Sequence, residues 1–199
     1  MKQTAIILLS ISILEGGALM ATELIGAKLA APFYGTSLYV WATIFAVTLG
    51  GLALGYLLGG YFSNKNPSVA FLRKVLLAGA IFTLIMPFWG RFVMGLMLDL
   101  PLIAGVLISC ALFLMPSLIC FGMVSPLVIQ LLDNLNNDPG KNSGTVYAIS
   151  TLGGVACTFA FGFYFIPFSG ITLSLVIVSI LMLLGFLLSL TLKPAAHVN

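Results

Sequence analysis

Residues 4–28, TAIILLSISILEGGALMATELIGAK, form an apolar run of membrane-crossing length that carries two carboxylates, Glu15 and Glu23. About twenty helical residues rising about 1.5 Å each are enough to cross a hydrocarbon core about 30 Å thick. A carboxylate left in hydrocarbon costs several kcal/mol, so intramembrane acids face a bundle interior and often mark a working site. The run therefore predicts a polytopic membrane protein with a polar heart.

The rest of the chain agrees. Of 199 residues, 61% are apolar and only 7% charged, too little polar cover for a soluble domain of this size. Barrel strands need about 9–11 alternating residues, whereas these runs are longer, so helices are the way left to satisfy the backbone in lipid. Further spans are expected at 38–62, 70–90, within 101–132, 144–166 and 171–192. The expected fold is all-α: a six-helix transmembrane bundle forming a single integral membrane domain over 1–199. MKQTAIILLS resembles the start of a secretory signal, but the run continues through both glutamates without a small-residue cleavage site and is read as a retained helix.

The formal charge of +3 carries no nucleic-acid signal, because Lys65, Arg73, Lys74 and Lys141 are scattered over short connections. They act as topology signals instead. With alternating crossings, Lys2, Lys65, Arg73, Lys74, Lys141 and Lys193 share one side and Lys28 and Arg91 the other, which places both termini in the cytoplasm of a plasma or bacterial inner membrane. Cys110, Cys120 and Cys157 lie in apolar stretches without paired spacing, so packing is expected of them rather than a disulfide framework or thiolate metal site.

Small residues mark the seams. Gly51, Gly55 and Gly59 repeat every four residues, as do Ser150, Gly154, Thr158 and Gly162, and such strips let helices approach closely in lipid. Phe159, Phe161, Phe163, Tyr164, Phe165 and Phe168 are expected to meet lipid. Pro87, Pro116 and Pro126 fall within or beside apolar runs, and Pro116 is the one where a broken helix would expose carbonyls. Pro67 and Pro139-Gly140 mark polar connections.

Glu15 and Glu23 are separated by roughly 12 Å of helical rise and about 80° of rotation, so they form no close dyad. Glu15 shares its face with Thr22 and Gly26, while Glu23 turns to the adjacent face. This broad polar sector suits stepwise positions for a proton or cation, or separate contacts to an elongated amine. The plainer alternative is a structural hydrogen bond, or an ion pair with Lys28 or Arg91. Tyr34, Tyr39 and Trp41 sit near one mouth of the bundle as interfacial anchors, and aromatic faces can also hold a cation. Arg91 and Asp99 lie near a boundary and can snorkel. The expected substrate-binding set is Glu15, Glu23, Lys28, Tyr34, Trp41, Arg91 and Tyr147. No catalytic residues, metal or cofactor are expected: the sole histidine, His197, sits in the polar tail, and no metal cluster, triad or phosphate loop is present.

The stretch ELIGAKLAAPFYGTSLYVW (23–41) with GGLALGYLLGGYF, and SPLVIQLL with GTVYAISTLGGVACTFAFGFYFIP, resembles the membrane domain of spermidine-synthase-like integral membrane proteins over roughly 17–170. Matching positions include Glu23, Pro32, Gly35, Ser37, Trp41, Pro126, Gly144, Tyr147, Ser150 and Pro167. Lys28 stands where that family commonly has arginine, keeping charge but not the planar fork. The resemblance implies a domain often fused to a soluble aminopropyltransferase; with that part absent here, it implies no synthase activity. Six helices and a glycine-rich second helix ending at GGYFSNKN are also similar to half of a major-facilitator transporter, without the usual acidic and arginine-rich signature that follows. Two such units could pair as a homodimer.

The resulting expectation is a small transporter of a cationic metabolite such as a polyamine, proton-coupled through its glutamates. The alternative is a noncatalytic scaffold for a separate soluble enzyme, suggested by the missing soluble domain and an extended connection at 133–143. Membrane lipids are expected partners and nucleic acid is not.

Overall fold

Backbone special cases decide where the helices end. In the computed structural model, which describes residues 2–65 and 68–192, Gly35 (φ 77°) ends helix α1 (Lys2–Tyr34) in a left-handed conformation that a side chain would strain. Pro67, Lys193 and His197 lie outside the described residues. Helix α2 (Leu38–Lys65) follows, and α3 (Val69–Leu96) starts where the Ser68 hydroxyl accepts from the Ala70 N–H at 3.1 Å.

The fourth apolar stretch divides into α4 (Leu102–Phe113) and α5 (Met115–Asn136), with the break at Leu114. Pro116 explains the break, because it has no N–H to give the carbonyl four residues earlier. That carbonyl, on Leu112, instead accepts from the Trp89 indole at 3.3 Å. Pro32, Pro87 and Pro126 are carried inside helices.

Asn137 (φ 54°) ends α5, and Asp138 caps α6 (Pro139–Ala160) by accepting from the Lys141 N–H at 3.4 Å. The extended connection expected at 133–143 is therefore corrected: two residues separate the helices. Asn142 folds back on Asp133 and Asn136, so the corner is held by its own side chains. A π-helical stretch (Phe161–Phe165) continues α6 into α7 (Ile166–Leu190). Gly170, at φ 75° and ψ 174°, interrupts that run.

Five helical runs are long and apolar enough to cross a membrane, and the 52-residue run Pro139–Leu190 is one of them. Contact register resolves its course. Gly26 faces Met86 and Gly90 faces Leu29, so α1 and α3 run parallel. Met20 meets Gly154 and Leu24 meets Gly162, so α6 also runs parallel to α1. Along α7 the order is opposite: Thr172 meets Arg91, Ser179 meets Ala80, and Ser189 meets Arg73. The chain therefore reverses at Gly170, giving six alternating passes in an all-helical, membrane-embedded bundle.

The main pairings are α1 with α6, α2 with α5 and α3 with α7. A Cβ on Gly55 would lie 2.6 Å from the Ile119 carbonyl and one on Gly59 2.8 Å from Met123, so α2 and α5 meet backbone to backbone. Between α3 and α7, Ser179 donates to the Ala80 carbonyl at 2.8 Å. Arg73 donates to the carbonyls of Ser189 (2.9 and 3.2 Å) and Leu192 (2.8 Å), tying α3 to the end of α7.

Candidate functional site

Glu15 sits at the junction of α1, α5 and α6, where it is 1% exposed. Its Oε2 accepts from the Ser150 hydroxyl at 3.2 Å and from the Ser125 hydroxyl at 3.4 Å. Small residues make this junction possible. A Cβ on Gly16 would overlap the Ser150 carbonyl, and one on Gly153 would overlap the Ile13 carbonyl. Glu15 thus occupies a close-packed seam and is held by two hydroxyls, the structural hydrogen bonding anticipated as the plainer alternative.

Ser150 has a second role. It borders a cleft of about 470 Å³ whose floor is α1 at Gly16, Leu19 and Met20. One wall is α2, at Leu52 and Tyr56; the other is α6, at Ser150, Thr151, Val155, Thr158 and Phe159. The rings of Tyr56 and Tyr147 meet edge-on across these walls, 6.5 Å between centroids and 86° between planes. Tyr147 lies one helical turn before the cleft-lining Ser150 and Thr151, so this pair bounds one end.

Helical geometry assigns the two glutamates to different faces. Taking Glu15 as zero and about 100° per residue, Leu19 falls near 40°, Gly16 near 100° and Met20 near 140°. Glu23 falls near 80°, on the side of α1 that carries the floor but one turn beyond it and outside the lining. It is half-buried and makes no hydrogen bond or ion pair among the described residues. Because α1 and α6 run parallel with Leu24 beside Gly162, Glu23 lies level with the Thr158–Phe159 end of the cleft, away from the tyrosines.

The other expected site residues are dispersed. Tyr34 is buried at the end of α1, its hydroxyl 2.8 Å from the Ser109 Oγ and 3.2 Å from the Gly105 carbonyl, so it ties α1 to α4. Trp41 is half-buried near the start of α2 and packs on Phe45 at 5.6 Å, roughly 16 Å of helical rise before the cleft residue Leu52. Arg91 donates to the Thr172 Oγ1 at 3.1 Å on the α3–α7 side. Lys28 is exposed a turn past Glu23. Of the seven, none lines the cleft; Glu15 touches it through Ser150 and Tyr147 through Tyr56, while Glu23 lies one turn beyond its floor.

Several side chains were not anticipated from the sequence. Tyr56, Thr151 and Phe159 line the cleft, and Ser125 reaches Glu15 across the bundle. Phe161, expected to meet lipid, is 1% exposed and packs on Phe165 at 4.9 Å; Phe163, Tyr164 and Phe168 do face outward. Thr22 Oγ1, Thr48 Oγ1 and Ser117 Oγ are buried without a partner among the described residues. Cys110, Cys120 and Cys157 are free thiols, and no grouping of three metal-ligating side chains occurs among the described residues. The arrangement suits non-covalent binding: a mostly apolar cleft with hydroxyls along its walls. No model of a protein family, no curated protein and no solved structure matches this chain.

Proposed function

We propose that this chain is a small membrane transporter that receives a cationic organic solute in the α1–α2–α6 cleft. The observation that carries the reading is Glu23, half-buried on α1 one turn beyond the cleft floor and without a partner among the described residues. A carboxylate beside a low-dielectric cleft attracts a cation, and the bound cation in turn offsets the desolvation of both charges. Glu15 supports the site from behind by fixing Ser150, which belongs to both the seam and the cleft wall. A proton and an ammonium compete for the Glu23 carboxylate, so exchange of one for the other is the coupling this reading implies.

The cleft opens on one side of the six-pass unit, and a second copy related by a two-fold axis would enclose it. Both termini in the cytoplasm, a plasma or bacterial inner membrane, and kinship with the spermidine-synthase-like membrane domain belong to the same reading. The scaffold alternative loses one of its motives, since the corner between α5 and α6 is two residues long and knit by Asn142.

The test is uptake of radiolabelled organic amines by sealed proteoliposomes. Saturable uptake accelerated by an imposed pH gradient is expected; flux equal to that of protein-free vesicles over a broad amine panel would overturn the proposal.

A further inference from the structure

We propose that Glu15 is a proton-binding site whose charge state is felt in the cleft through Ser150 and Tyr56. The proton site stands on its own geometry, whereas its link to a cation in the cleft rests on the transport reading.

The surroundings of the carboxyl group carry the argument. Both serine hydroxyls donate to the same oxygen, Oε2, so Oε1 has no hydrogen-bond partner among the described residues. The side chain is 1% exposed and forms no ion pair among those residues. No neighbouring helix supplies a cation. From α5 it meets Ser125, and Cys120 is turned about 140° away around that helix. From α6 it meets Ser150, with Tyr147 and Cys157 further along, and α2 contributes Tyr56. Helix α7 has no ionisable residue. On α3, Arg73 is committed to the carbonyls of Ser189 and Leu192, Arg91 donates to Thr172, and Lys74 is exposed. Lys28 is roughly 20 Å of rise further along α1.

A carboxylate enclosed in this way has only hydroxyls to answer its charge, which is costly. A proton on Oε1 removes the charge and leaves Oε2 to accept from both serines. The two states can therefore share one seam, and proton exchange needs no parting of the helices.

The cleft senses the difference. Ser150, which donates to Glu15, also lines the wall, and the facing wall residue Tyr56 lies within reach of the Glu15 charge. Deprotonated, Glu15 places a negative field behind a mostly apolar cleft and favours a cation there; protonated, it does not. By linkage, a cation in the cleft weakens proton binding at Glu15 to the same extent. Glu23, one turn beyond the floor, acts on the cleft separately.

The experiment takes the full chain in lipid nanodiscs and follows the infrared carbonyl band of neutral carboxyl groups as pH is raised. A titrating band is expected that Glu15→Gln abolishes and Glu23→Gln retains. Ser150→Ala, which keeps the carboxyl but removes one donor, should move that band to higher frequency. Binding of tetraphenylphosphonium, a permanent cation, is measured in the same samples against empty nanodiscs. Its affinity should rise about tenfold or more as the Glu15 band disappears, and Glu15→Gln should abolish the rise while Glu23→Gln preserves it. A Glu15 that stays charged, or stays neutral, at every pH at which the protein is folded would overturn the proton site. A titrating Glu15 with pH-independent tetraphenylphosphonium affinity would overturn its link to the cleft. A titrating Glu15 without any saturable cation binding would uphold the proton site and count against the transport proposal instead.

Discussion

Gly16 on α1 and Ser150 on α6 meet backbone to backbone: a Cβ on Gly16 would overlap the Ser150 carbonyl and come within 2.5 Å of its hydroxyl oxygen. That closeness lets the Ser150 hydroxyl reach Glu15 and still border the cleft. Gly16→Ala is expected to push the helices apart and destabilise the bundle by about 1–3 kcal/mol. Gly60→Ala, where a Cβ meets open space, is the control and should change little. Thermal unfolding in detergent compares the two, and equal effects would mean that the seam is loosely packed.

Trp89 repairs a defect made by Pro116. Trp89→Phe keeps the ring but removes the donor to the Leu112 carbonyl, with an expected cost of about 1 kcal/mol. In a Pro116→Ala background the new backbone N–H can serve that carbonyl, so the same Trp89→Phe change should cost much less there. An unchanged cost in both backgrounds would separate Trp89 from the helix break.

Arg73 holds the end of α7 through the carbonyls of Ser189 and Leu192. Arg73→Gln should speed limited proteolysis after Leu190. Arg73→Lys should not restore protection fully, because an ammonium lacks the Nε–Nη2 edge whose two N–H groups meet the Ser189 carbonyl. Cleavage rates matching wild type in either variant would show that Arg73 is no clamp.

Glu15 is the acceptor that joins α1 to α5 and α6. An amide oxygen can take the same two hydroxyl hydrogens, so Glu15→Gln should cost less than about 1 kcal/mol, whereas Glu15→Leu, which strands both serines, should cost about 1–3 kcal/mol. Denaturant titration in mixed micelles reads the difference. A large loss in the glutamine variant would assign Glu15 a role beyond accepting these bonds.

The chain's apolar runs made the six passes legible, because a span needs only length and hydrocarbon. The glycine strip at 51, 55 and 59 was equally readable, and Gly55 and Gly59 do face the backbone of α5. Register between distant helices was not. Ser150 of the second ladder does make the nearest approach to α1, but among the glycines of α6 it is Gly153, outside that ladder, that comes closest, and its partner Ile13 carries no spacing that singles it out. Nothing in the sequence marks Ser125; only the antiparallel register of α1 and α5, with Gly26 beside Leu114, sets it opposite Glu15. The π-helical stretch was hidden in a run of aromatics and turns Phe161 inward while Phe163 and Tyr164 face out.

For the site, sequence identified both glutamates as uncommon residues for hydrocarbon, and helical arithmetic separated their faces. It could not say which face was open. That depends on α2 and α6 standing apart over α1, with Leu52 and Tyr56 on one wall and Thr151 and Val155 on the other. Tyr34 and Trp41, attractive as aromatics near carboxylates, are engaged elsewhere by Ser109 and Phe45.

The central claim is that Glu23 receives the solute's positive charge. Its most direct measurement is the initial rate of phenethylamine uptake into sealed proteoliposomes by wild type and Glu23→Gln at equal amounts of folded protein. Saturable uptake by wild type and a fall of about tenfold or more in the variant are predicted, the size expected when a charged partner is lost. Equal rates from the two proteins would contradict it.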